Sequence, residues 1–194
     1  MTTRVDSVHI TDGVVTEAKL QTKLNPDNAV NNTAFNIGVL GFKLAVNDGL
    51  TVFNLVDGVV DEFHDNTGVD TSESSNATYD ASADTFSNST TSMTLISDTF
   101  TANTTPSTAR IVLFAELPDG TSDFTISVTR DNSTFNNITL TDEGYQAGSS
   151  GIKIFSGSTS LTGSSSPQVQ VRWKIVGSSL TGANKIHGVA LQWG

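Results

Sequence analysis

The chain contains no cysteine, so it can form neither an internal disulfide nor a thiolate metal site. Its stability must come from core burial or from oligomerisation. Charge is scarce: only 15% of residues are charged, with 10 Lys and Arg against 20 Asp and Glu, for a net charge of −10. No basic run interrupts that balance. A chain this acidic repels nucleic-acid phosphates and anionic lipid surfaces, so no nucleic-acid partner is expected. No segment approaches the roughly 20 consecutive apolar residues needed to span a bilayer, so no membrane insertion is expected. The opening Met1-Thr2-Thr3-Arg4-Val5-Asp6 lacks the apolar run of a signal peptide, and synthesis in a cytoplasm is the expectation. Nucleotide and nucleophile motifs are missing as well. Gly177-Ser178-Ser179 and Gly148-Ser149-Ser150-Gly151 lack the Lys-Ser/Thr ending and following helix of a phosphate loop, and no Gly-x-Ser-x-Gly occurs.

Small polar residues take the place of what is missing. Thr occurs 28 times, Ser 23 and Asn 15 in 194 residues. Thr suits the half-buried surface of a strand, whereas Ser and Asn suit turns. The composition therefore predicts a mainly β protein with many turns.

Patterning divides the chain. Residues 1–31 read as an extended arm, with a turn at Asp12-Gly13 and a break at Asn25-Pro26-Asp27. Residues 33–47 are the one helix candidate, capped by Asn32 or Thr33. Phe35, Val39, Phe42 and Val46 form one apolar stripe, and Ile37, Leu40 and Leu44 add a second face. A helix apolar on two sides must be buried on two sides, against the β-domain, copies of itself, or both. Val52 to Val56 and Val59 to Phe63 flank Asp57-Gly58, a hairpin signal. These elements suggest an anchoring and oligomerisation unit over 1–66. Residues 67–92 are poor in apolar side chains and read as a linker loop, ordered only if Tyr79 and Phe86 pin it.

From residue 93 to 194 strands follow one another. Ala109, Ile111, Leu113, Ala115 and Leu117 alternate with Arg110, Val112, Phe114 and Glu116. Phe124, Ile126 and Val128 alternate with Thr125, Ser127 and Thr129, and Val171, Trp173 and Ile175 with Gln170, Arg172 and Lys174. Each pattern has period two with one wet face. Turn signals at Pro118-Asp119-Gly120, Asp131-Asn132-Ser133, Asp142-Glu143-Gly144 and Gly182-Ala183-Asn184 separate them. The expected fold is an antiparallel β-sandwich or jelly-roll-like domain, preceded by an extended N-terminal arm and one short helix.

Few residues invite a chemical role. Asp61, Glu62, His64 and Asp65 could ligate Ca or Zn, but their spacing matches no calcium loop, and acidic surface runs are usually just solvated. His187 lacks an evident nucleophile partner, and Glu116 and Asp123 are lone carboxylates. Trp173 alternates with Val171 and Ile175 and reads as core; Trp193 fits either core or an interface. The expectation is no enzyme activity, no catalytic or metal residue and no cofactor. Ligand recognition, if any, belongs to loops at the ends of the sandwich, with Tyr145, Asn132 and Asn184 as candidates.

Three stretches resemble structural proteins of marine tailed bacteriophages. One is Val60-Asp61-Glu62-Phe63 followed by Gly68-Val69-Asp70, Ser74-Ser75-Asn76 and Tyr79-Asp80. A second is Ile126 to Asp131 followed by Ile138-Thr139-Leu140 and Asp142-Glu143-Gly144. The third is Val171 to Ile175 followed by Lys185 to Trp193. In addition, Asp12 to Leu20 is similar to short repeats of phage fibre stems. The resemblance implies a virion structural protein, a surface-exposed fibre or appendage subunit anchored by its N-terminal region and assembled as a homotrimer. Alternatives in the same setting are a capsid decoration or cement protein, or a carbohydrate-binding module for host adsorption. The implied partners are other capsid or tail proteins, further copies of the chain and a host surface glycan. Phe35, Val39, Phe42 and Val46 are the oligomer or anchor candidates.

Overall fold

The computed structural model describes residues 52–194. The arm, the helix expected over 33–47, and Phe35, Val39, Phe42 and Val46 lie outside the described residues. All of the described residues belong to one compact unit.

The described chain is an antiparallel β-sandwich. β1 (Val52–Leu55) and β2 (Gly58–Asp61) form a hairpin, followed by a second hairpin of β3 (Ala77–Asp80) and β4 (Thr85–Asn88). Then come β5 (Ser92–Ile96), β6 (Phe100–Thr101), β7 (Thr108–Glu116), β8 (Phe124–Thr129), β9 (Asn136–Ile138), β10 (Thr141–Tyr145), β11 (Lys153–Ser160), β12 (Gln170–Ser178) and β13 (Lys185–Trp193). The larger sheet runs β1-β2-β13-β7-β11-β10, with β4 joining β13 and carrying β3. The smaller runs β5-β12-β8-β9, with β6 on β12.

Two boundaries differ from the sequence expectation. The hairpin at 52–61 is part of the sandwich itself, because β2 pairs with β13 over Val189 to Gln192 and so extends the larger sheet. Residues 67–92 are no plain linker, because they contain β3 and β4. Their order comes from aromatic packing. The Phe63 and Phe86 rings meet edge to face at 5.0 Å, Tyr79 stacks 5.1 Å from Phe86, and Phe63 reaches Trp173 of the smaller sheet at 6.3 Å. Tyr79 Oη also donates to the Phe63 carbonyl at 2.8 Å. Phe63 has φ 58°, an unfavourable left-handed conformation for a bulky residue, and is held there from both sides.

The core follows the alternation. Ala109, Ile111, Leu113 and Ala115 of β7 face Ile126 and Val128 of β8 and Val171, Trp173 and Ile175 of β12. Trp173 has no accessible surface, and its burial alone contributes a few kcal/mol. Gly157 in β11 marks the closest approach at one side, where a Cβ would strike the backbone carbonyl of Thr139 and the side chain of Ile138.

Candidate functional site

Each end of the sandwich is closed by an aspartate that gathers donors. At the end where β8 stops, Asp131 is almost inaccessible. Its Oδ1 accepts from Thr129 Oγ1 at 2.9 Å and from the backbone N–H of Ser133 at 3.0 Å and Thr134 at 2.7 Å. Its Oδ2 accepts from Thr134 Oγ1 at 3.0 Å and from the N–H of Ser164 at 2.7 Å and Ser165 at 3.0 Å. The carboxylate thus ties the β8–β9 turn to the loop after β11. Burial is the largest single influence and pushes its pKa up. The backbone donors together outweigh burial and hold the group well below the usual carboxylate range.

Arg172 sits beside this hub, with its side chain 3% exposed. Nε donates to the Ser97 carbonyl at 2.7 Å, Nη1 to Glu73 Oε2 at 2.8 Å and to Asn132 Oδ1 at 3.0 Å, and Nη2 to Asp70 Oδ2 at 2.9 Å. Asn132, a ligand-loop candidate, is exposed, adopts a left-handed φ of 60° and spends its carbonyl on Arg172.

At the opposite end, Asp119 gathers Thr181 and Gly182. Thr181 Oγ1 donates to Asp119 Oδ1 at 2.6 Å, and Asn184 Nδ2 donates to Oδ2 at 2.7 Å. The Thr181 and Asn184 side chains, then the Gly182 N–H, hold Asp119 far below its ordinary pKa. Asn184 corrects a sequence expectation: it has no accessible surface and bridges Asp119 to Asn88, so it builds the loop instead of facing a ligand. Tyr145, at the same end in β10, is 68% exposed. Lys153 Nζ lies 5.2 Å from its ring centroid and pairs with Asp142 at 2.7 Å. The three ligand-loop candidates therefore do not converge: Asn132 is at one end, and Asn184 and Tyr145 are at the other.

The acidic run after β2 does not converge either. Asp61 is fully inaccessible on the core side of the sheet; its Oδ1 accepts from Phe63 N–H at 3.0 Å, whereas Oδ2 has no hydrogen-bond partner among the described residues. The Gly68 backbone is packed so closely there that a Cβ would lie 2.6 Å from Oδ2. Burial pushes the Asp61 pKa up to about 8, the Phe63 N–H only partly offsetting it. Glu62 takes a different partner, its Oε2 lying 3.2 Å from His64 Nε2 without hydrogen-bond alignment. Burial raises Glu62 to about 7 against the pull of His64. His64 Nδ1 meets Asp84 Oδ2 at 3.0 Å, a contact from a distant turn that spacing could not reveal. Asp65 accepts from the N–H and hydroxyl of Thr67. Among the described residues, no three His, Asp or Glu side chains gather as a metal site would require. His187 pairs with Glu116 at 2.8 Å, and Asp123 sits apart in the short turn of 3-10 helix at Thr121–Asp123.

Sequence reasoning missed the hubs at Asp131, Asp119 and Arg172. Part of the signal was visible. Asp65-x-Thr67, Asp70-x-Ser72, Asp80-x-Ser82 and Asp131-x-Ser133 share a spacing in which the carboxylate accepts from the N–H two residues on. The long-range donors, Ser164 and Thr181, have no local signature. No protein-family model matches this chain, and no curated protein matches it significantly.

Proposed function

We propose that this chain is a non-catalytic structural subunit of a tailed-bacteriophage particle, attached through its N-terminal region and displaying the sandwich outward as a fibre or appendage subunit. The observation that carries this reading is how the loops use their polar groups. Asp131, Asp119, Asp70 and Arg172 spend their hydrogen bonds on joining one loop to another instead of presenting them to solvent. A domain built this way suits repeated exposure to the medium, and the sequence resemblance to phage structural proteins supplies the setting. Particles purified through a density gradient should contain the chain at a fixed copy number by quantitative mass spectrometry, resistant to a high-salt wash. Its absence from washed particles would overturn the reading.

The exposed Tyr145 favours a second reading, a carbohydrate-binding module for host adsorption. An accessible aromatic ring beside Lys153 and Asp142 offers a stacking face with flanking polar groups. Binding of the isolated protein to an array of bacterial surface glycans, lost in Tyr145→Ala, would favour it over a purely architectural role.

A further inference from the structure

Four Asp-Gly pairs occur in the chain, and two of them, Asp57-Gly58 and Asp119-Gly120, lie among the described residues. This dipeptide carries a chemistry of its own, because a glycine nitrogen has no side chain beside it to shield it from the carboxyl one residue back. The fold treats the two pairs differently. Asp119 accepts from Thr181 Oγ1 at 2.6 Å, from Asn184 Nδ2 at 2.7 Å and from the Gly182 N–H at 2.9 Å. These donors, all from the loop before β13, fix its carboxylate in place and keep it ionised, with its pKa far below the ordinary value. The Gly120 N–H is itself occupied, donating to the Leu117 carbonyl at 3.0 Å. Asp57 stands at the tip of the β1–β2 hairpin beside Val56, which is 86% exposed. Among the described residues, no hydrogen bond or ion pair holds its carboxylate. The turn also strains Asp57, whose φ of 54° is a left-handed conformation that glycine adopts freely and aspartate only at a cost. Packing keeps a glycine after it, since a Cβ on Gly58 would lie 2.9 Å from the Leu191 carbonyl oxygen.

We propose that Asp57-Gly58 is a self-modification site, at which the folded chain converts Asp57 to β-linked isoaspartate and so loosens the tip of the hairpin from β13. The Gly58 nitrogen attacks Asp57 Cγ. Its proton and the carboxyl hydroxyl leave as water, and a succinimide ring closes. Water then adds at the main-chain carbonyl carbon of Asp57 and breaks its bond to the Gly58 nitrogen. Water is the only co-reactant, and the composition of the chain is unchanged. The backbone now runs through Cβ and Cγ of residue 57 and is longer by one atom. That atom falls in a tight turn whose register sets Leu55 opposite Gly58, and Gly58 opposite Gln192 of β13. The same step takes the Asp57 carbonyl out of the main chain, where it accepts from the Trp193 N–H at 2.8 Å. Asp119 is spared because its carboxylate must first leave Thr181, Asn184 and Gly182 and take up a proton before it can lose water. The inference stands independently of the particle role.

The test uses the full chain, aged at physiological temperature and pH either folded or in urea. Peptide mapping with electron-transfer fragmentation tells isoaspartate from aspartate at each position. In urea Asp57 and Asp119 should isomerise at comparable rates, whereas in the folded chain Asp57 should do so several-fold faster than Asp119. Equal rates in the folded chain, or isoaspartate at Asp57 only in urea, would overturn the proposal. Hydrogen exchange reads the structural consequence. The aged chain should lose protection at the Trp193 amide and in β1, whereas Asp57→Glu, whose longer side chain closes the ring poorly, should keep it after the same treatment. Equal loss in the two chains, or no loss in either, would overturn the proposal.

Discussion

Asp61, at the end of β2, and Asp131, in the turn after β8, are both nearly shut off from water, and their surroundings answer burial in opposite ways. Around Asp131 two turns converge their backbone N–H groups, and the charged form is the stable one. Around Asp61, among the described residues, a single N–H reaches one oxygen while the other faces the Gly68 backbone, and the protonated form is favoured up to about pH 8. Burial alone does not decide whether a carboxylate stays charged; the number of aligned donors does. The first region is built by its charge and the second tolerates an acid only by keeping it neutral.

Removing the Asp131 carboxylate breaks that contrast most severely. Asp131→Ala should cost about 3 kcal/mol in chemical denaturation, since it frees donors from two separate loops. Next comes pH. Asp61 binds a proton in the folded chain that the unfolded chain, at an ordinary 3.8, has already released. Stability should therefore fall by about 1.4 kcal/mol per pH unit between pH 5 and 7 for this group and level off above its folded value. Glu62, raised to about 7, steepens the fall. Below about pH 4 the sign reverses, because Asp119 and Asp131 are ionised in the fold and must take up protons, so the maximum lies near pH 4 to 5. Asp61→Asn, shaped like the protonated acid, should flatten the neutral limb and leave the acid limb unchanged; a variant with the parent slope would contradict the assignment. A smaller effect is expected from deleting residues 1–31, which should leave the denaturation midpoint of the sandwich unchanged within error while abolishing incorporation into particles. The smallest is Tyr145→Ala, which should shift stability by less than about 0.5 kcal/mol, because its side chain is open to solvent.

The strands were legible because a period of two survives any loop chemistry. The alternation over 109–117 became Thr108–Glu116, and that around Trp173 became Gln170–Ser178. Two readings of the same patterns fell short for one reason. Val112 and Phe114 were placed on a wet face, and so was Arg172, yet all are buried. Alternation shows which side chains share a face but not whether another segment covers it. Arg172 is covered by the 67–76 stretch that it anchors through Asp70 and Glu73. In that stretch and the β3–β4 hairpin after it, Ser, Thr and Asn conceal strands whose order depends on three aromatic rings distant in sequence. Among the site candidates, Tyr145 is exposed but ends strand β10 instead of lying in a loop, and Asn184 was indistinguishable by sequence from a solvent-facing turn residue.

The central claim is that the sandwich faces the medium while the N-terminal region faces the particle. Antibodies against residues 52–194 and against residues 1–31, applied to intact and then to disrupted particles and viewed by immunogold electron microscopy, test it directly. The account predicts labelling of intact particles by the first antibody and labelling by the second only after disruption. Intact particles that bind the arm antibody, or neither antibody in either state, would contradict it.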